Sequence, residues 1–149
     1  MSSAFFRANV GACIINESGH VLACKRRGAS DGAWQMPQGG IDSGEAPEAA
    51  LWREVHEEVG LDTASLALLQ PHPEWIAYEL PDAFKRPKTG LGQVQKWFLL
   101  RADSDAPVRV DGQEFDQWRW LPAQELLAVT VAFRQPVYRR IFADFGLLP

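Results

Sequence analysis

Between Gly39 and Leu61 the chain reads GGIDSGEAPEAALWREVHEEVGL, and no other stretch limits the fold as strongly. Pro47 suits the first turn of a helix, where its missing N–H would be unpaired in any case. Gly60 suits the left-handed position just past a helix end. Between them Leu51, Val55 and Val59 recur at i, i+4 and i+8, so a helix over Pro47–Val59 carries an apolar stripe that the rest of the molecule must cover. The other side is acidic. At 100° per residue Glu54, Glu57 and Glu58 fall within an arc of roughly 100°, with Glu58 at the margin of the stripe. Glu45 and Glu48 lie just upstream. Like charges at i,i+4 cost a helix on the order of a few tenths of a kcal/mol per pair, and a buried carboxylate without a partner costs more. Clustered carboxylate oxygens suit a hard cation such as Mg2+. The stretch therefore predicts either a solvated acidic helix face or a cation site.

The strands this helix needs are legible around it. ANVGACII and HVLACKR flank NESG and read as a hairpin. RGASDGAWQMPQGG reads as loop entering a short strand. SLALLQ, EWIAYEL, QKWFLLRA and QWRWL read as further strands, with PDAFKRPKTGLG a basic loop among them. PAQELLA and PVYRRIFADF read as helices, the second with a stripe at Val137, Ile141 and Phe145. Interspersed strands and helices imply α/β architecture, helices packed on a mixed sheet, and 149 residues imply one domain over 1–149.

A net charge of −4 argues against broad nonspecific binding to nucleic acid or anionic lipid, and DNA is not an expected partner. No apolar run is long enough for a membrane span, and MSSAFFRANV lacks the plan of a signal peptide, so a cytoplasmic protein is expected. Cys13 and Cys24 form no CxxC pair and read as buried thiols. His20, His56 and His72 form no ligand set, and Trp75, Trp97, Trp118 and Trp120 read as core or sheet-face packing. Oligomeric state has no signal in the sequence.

Position by position, the opening stretch fits G-x5-E-x7-R-E-U-x-E-E-x-G-U, with U aliphatic. The matches are Gly39, Glu45, Arg53, Glu54, Val55, Glu57, Glu58, Gly60 and Leu61. On this pattern the chain resembles the Nudix hydrolases. The resemblance implies an α/β/α sandwich with a mixed β-sheet, in which a loop–helix–loop holds Mg2+ or Mn2+ against a pyrophosphate. It makes Glu54, Glu57 and Glu58 metal ligands, adds the Gly39 carbonyl, assigns Arg53 to orienting a glutamate and gives Glu45 a supporting role in the loop. Such a cation neutralises the phosphate oxygens that repel a nucleophile and makes water easier to deprotonate. The general base is Glu57, Glu54 or Glu114.

Outside the signature, WQMPQGGID, EWIAYELP, GQVQKWFLL, EFDQWRWL and AFRQPVYRR resemble two groups within that family, from Arg7 to Phe145. These are the bacterial RNA pyrophosphohydrolases and the dinucleoside polyphosphate hydrolases. The likeness implies a phosphate-binding role for Arg26. It places Tyr78, Gln93 and Lys96 along the nucleotide or phosphate site, makes Phe133 and Arg134 an aromatic–basic pair for base and phosphate, and makes Glu114 an additional metal ligand or base. Three departures stand out: a short DAFKRPKTG loop, arginine at 134 where some relatives have lysine, and a longer loop over Arg27 to Gly32. The expected substrate is a dinucleoside polyphosphate or a 5′-triphosphorylated RNA end. The alternatives are smaller nucleotides, such as nucleoside triphosphates or ADP-ribose, and a nucleotide-sensing domain without turnover, against which the intact glutamates count.

Overall fold

The structure is a computed structural model and describes residues 4–29 and 33–149. Part of the Arg27–Gly32 loop, residues 30–32, lies outside the described residues. The elements are β1 (Phe6–Ile15), β2 (Val21–Arg26), β3 (Trp34–Gln35), β4 (Gln38–Gly40), α1 (Pro47–Val59), β5 (Ala67–Glu79), β6 (Gly92–Arg101), β7 (Phe115–Leu121), α2 (Ala123–Ala128) and α3 (Gln135–Asp144). The strands form one seven-stranded sheet with the path β3-β2-β1-β6-β5, while β4 pairs with β1 and β7 with β2. β1 and β6 run parallel and the other pairs antiparallel, so the sheet is mixed.

Alternation along the central strands creates two cores. Val10, Ala12 and Ile14 of β1, Leu22 and Cys24 of β2, and Phe98 and Leu100 of β6 meet Ala50, Leu51, Val55 and Val59 of α1. The intervening residues Cys13, Val21, Ala23, Trp97 and Leu99 meet Leu126 of α2 and Val137, Tyr138, Ile141 and Phe142 of α3. The result is an α/β/α sandwich. Each fully buried aliphatic side chain contributes about 1.5–3 kcal/mol, which fixes α1 against the sheet and with it every carboxylate that α1 carries. Trp97 crosses directly beneath Gly11, where any Cβ would overlap the indole ring.

Helix α1 has the expected bounds. Pro47 opens it, and Gly60 closes it at φ 72°, its N–H bonded to the His56 carbonyl. Cys13 and Cys24 are both buried free thiols. SLALLQ and EWIAYEL were expected as separate strands, but both fall on β5. Pro71 and Pro73 offer no N–H to the ladder, and the register breaks between Leu68 and Gln70 and again between Pro71 and Trp75. Trp75, just past the break, is 45% exposed and is not core. His72 is buried in the break and bonds Asp144 of α3 at 2.7 Å. Along α3 the buried set is Val137, Tyr138, Ile141 and Phe142, wider than the expected stripe, with Phe145 only partly covered. Among the described residues no helix is long and apolar enough to cross a membrane.

Candidate functional site

Arg53 organises the signature. Its Nε donates to Glu45 Oε2 at 2.9 Å and its Nη2 to Glu45 Oε1 at 2.8 Å. Nη2 also reaches the Gly40 carbonyl at 2.9 Å, and Nη1 donates to Glu54 Oε1 at 2.8 Å. One planar fork thus ties the loop before α1 to the carboxylates on α1, a geometry lysine cannot reproduce. Those bonds pull Glu45 down to about 2, helped by the Asp42 N–H, which donates to Glu45 Oε1 at 3.0 Å. The same partners hold the Arg53 guanidinium above its ordinary value.

Glu58 lies in the opposite electrostatic situation. It is 3% exposed, and its Oε2 is buried without a hydrogen-bond partner. Burial first, then the Glu114 and Glu54 carboxylates, push it up to about 10. Burial also raises Glu54, against the lowering effect of Arg53. Glu114 is brought to this place from the turn before β7. Asp111 Oδ1 accepts the N–H groups of Gln113, Glu114 and Phe115, and the Glu114 carbonyl accepts the Arg27 N–H at 2.9 Å. The Glu54 carboxylate lies flat on Gly39, where any Cβ would overlap it. A buried, partnerless carboxylate oxygen with two further acids against it fits a hard cation bound by oxygen.

Glu57 stands outside this cluster. It is 57% exposed, with Oε2 at 3.6 Å from Arg53 Nη1. Among the described residues, no three acidic, histidine or cysteine side chains are grouped closely enough to hold a metal ion as they stand.

A second group of residues lies on the α3 side of the sheet. Tyr78 Oη donates to Gln93 Oε1 at 2.7 Å, and Gln38 Nε2 donates to the same oxygen at 3.2 Å. Gln95 and Asn9 continue this polar layer, joined at 2.9 Å. Phe133, in the 3-10 turn Ala132–Arg134, stacks on Tyr78 at 6.1 Å between centroids. The Arg134 guanidinium lies 4.9 Å from the Phe133 centroid, and its Nε is buried without a partner. Strand β4 is the seam between the two groups: Gln38 bonds Gln93, Gly39 backs Glu54, and the Gly40 carbonyl is held by Arg53.

Arg26 ends β2 in register with Phe115, the residue after Glu114, and is exposed. Lys96 is drawn elsewhere: its ammonium donates to the His72 carbonyl in the β5 break, rather than to the Tyr78–Gln93 pair. Three residues not singled out from the sequence join the site. Arg7 lays its guanidinium against Gly40, Gln38 bonds Gln93, and Phe84 lies 5.0 Å from Phe133. Strand alternation could have flagged Arg7, which is in register with Gln93.

The family model of the NUDIX domain matches residues 5–145. The RNA pyrophosphohydrolase of Pseudomonas paraeruginosa is 46% identical over 148 residues, covering 95% of this chain and 92% of that protein. The RNA pyrophosphohydrolase of Aeromonas hydrophila is 40% identical over 151 residues, covering 96% and 85%. Among solved structures, the E. coli dihydroneopterin triphosphate pyrophosphohydrolase superposes with a TM-score of 0.75 at 21% identity, covering 93% of this chain and 98% of that one. A C. elegans Ap4A hydrolase superposes with a TM-score of 0.68 at 18% identity, covering 95% and 99%. These two structures share the fold.

Proposed function

The chain belongs to the Nudix hydrolase family, and on that premise we propose that it removes pyrophosphate from 5′-triphosphorylated RNA, leaving a 5′-monophosphate end. The observation that carries the choice of substrate is near-full-length likeness, at 40% and 46% identity, to two proteins named for that activity. The Ap4A hydrolase likeness is one of fold at 18% identity and gives a dinucleotide substrate no comparable support.

In this reading Glu54, Glu58, Glu114, the Gly39 carbonyl and an inward-turned Glu57 hold divalent cations, Mg2+ or Mn2+. A cation there neutralises phosphate oxygens and lowers the pKa of water. Arg53 keeps Glu54 oriented, because the same guanidinium is anchored to Glu45 and to the Gly40 carbonyl. Glu57 and Glu114 are the exposed acids able to accept a proton from the attacking water and pass it to solvent. Arg26, Arg7 and Arg134 grip the phosphates, and Phe133 offers a ring for a base beside the Tyr78–Gln93 pair. Stacking on an aromatic contributes ~1–3 kcal/mol per base and tolerates different bases, which suits RNA ends of varied sequence.

The test is a substrate panel in Mg2+ with product analysis, comparing 5′-triphosphorylated RNA, diadenosine tetraphosphate, nucleoside triphosphates and ADP-ribose. Pyrophosphate and 5′-monophosphate RNA should form with the highest kcat/KM. A higher kcat/KM on any of the others would move the assignment to that substrate.

A further inference from the structure

The short loop between β5 and β6 is a built element. Asp82–Phe84 form a 3-10 turn, and Lys85 Nζ bonds Asp82 Oδ1 at 2.9 Å. Arg86 Nη1 donates to the carbonyls of Ala83 at 3.0 Å and Lys85 at 2.8 Å. Thr89 Oγ1 accepts the Arg86 N–H at 3.0 Å. The loop is thus tied mostly to itself. Its ends are pinned where the Leu80 N–H meets the Leu91 carbonyl and the Leu91 N–H meets the Phe5 carbonyl. Pro81 to Arg86 are exposed except Lys85, so the loop lies on the surface rather than in either core.

Phe84 is the part of this loop that reaches inward. It is 42% exposed, yet its ring lies 5.0 Å from Phe133 at an interplanar angle of 52°. Phe133 in turn touches Tyr78 and Arg134. Phe84 is thus a partly exposed aromatic on a surface loop, packed at a tilt against the ring proposed to hold a base.

The geometry points to Phe84 as the second jaw of the base subsite, closing on a nucleobase that stacks against Phe133. This inference rests on the reading of Phe133 given above. A base between two rings needs a centroid separation of about 7–8 Å, twice the ~3.5–4.0 Å contact distance of carbon atoms. From 5.0 Å and 52° the loop must open by about 2–3 Å and turn the Phe84 ring towards parallel with Phe133. Its self-contained hydrogen bonds let it do so as a unit, without breaking either core. The ligand class is a planar nucleobase of any identity, because stacking reads the π-face and not the hydrogen-bonding edge.

Steady-state kinetics on 5′-triphosphorylated RNA with Phe84→Ala, Phe84→Leu, Phe84→Trp and Phe133→Ala test this, with inorganic tripolyphosphate as a base-free competitive inhibitor. Phe84→Ala should raise KM on the order of fivefold or more, the low end of one stacked base. Its kcat and the tripolyphosphate inhibition constant should stay within about twofold of wild type, since the phosphate contacts are untouched. Phe84→Trp should keep the wild-type KM and Phe84→Leu should not. If Phe84→Leu matches wild type, or Phe84→Ala leaves KM unchanged or lowers it, the jaw is refuted. Phe133→Ala separates the two readings. Raised KM there with normal KM in Phe84→Ala removes only the jaw, and normal KM in both removes the base subsite as well.

Discussion

The carboxylate of Glu114 stands against that of Glu58, an acid that is already buried and lacks a hydrogen-bond partner at Oε2. Burial of Glu58, and after it the Glu114 and Glu54 charges, govern how the metal-free protein responds to pH. Glu58 is raised from the ordinary 4.5 to about 10, so the stability tied to its protonated form is complete below about 4.5 and is lost as pH rises towards 10. Glu45 behaves in the opposite sense. Its value falls to about 2, so its contribution is present above about 4.5 and lost only as pH falls towards 2. Between pH 5 and 9 the Glu58 effect is therefore expected to act without an opposing change from Glu45. The melting temperature in chelator should fall across that range, and Glu58→Gln should flatten the slope. Thermal melts of both proteins at five pH values measure this, and equal slopes would remove Glu58 as the cause.

Glu57→Gln should lower kcat on the order of a hundredfold or more, the scale of a lost proton acceptor. It should leave the melting temperature within a degree or two, because Glu57 is exposed and its Oε2 lies 3.6 Å from Arg53. Rates and melts on one preparation decide it. Near-wild-type turnover would take Glu57 out of the chemistry.

Arg53→Lys tests whether the guanidinium fork matters beyond its charge. Lysine keeps the charge but cannot bond Glu45 twice while reaching Glu54 and the Gly40 carbonyl. Loss of such an orienting partner typically costs ~10–100-fold in metal affinity or activity. A Mg2+ titration of the rate should therefore show a higher half-saturation point, a readout that general destabilisation would not move. An unchanged midpoint would make Arg53 a purely structural anchor for the loop.

The parts of the molecule legible in the sequence are those whose determinants are local. Helix α1 was readable to its ends because Pro47, Gly60 and the Leu51–Val55–Val59 spacing all lie within it. The continuous β5 was not, because Pro71 and Pro73 read as a break, while the sheet tolerates them as a register irregularity. The width of the α3 face was underestimated because Tyr138 does two things at once: it is buried against Trp97, and its hydroxyl accepts the Met36 N–H at 2.9 Å. At the site, the signature acids were visible as a pattern, but Glu114 entered only through resemblance. Its approach to Glu58 is a long-range contact with no local trace. Arg7 and Phe84 reach Gly40 and Phe133 from distant segments. The Lys96 side chain turns to the His72 carbonyl because the β5 irregularity presents one there.

The cation site itself is tested most directly by the Mg2+-induced change in melting temperature at pH 8, in wild type and in Glu54→Gln/Glu58→Gln. A ligand that binds only the folded state stabilises it by RT ln(1 + [L]/Kd), about 2.7 kcal/mol at a hundred times Kd. For a chain of this size that is on the order of 5–10 °C. Wild type should rise with Mg2+ towards that limit. The double variant should start at or above the metal-free wild-type value, since repulsion has been removed, and should not rise with Mg2+. Equal Mg2+ shifts in the two proteins would place the cation away from Glu54 and Glu58.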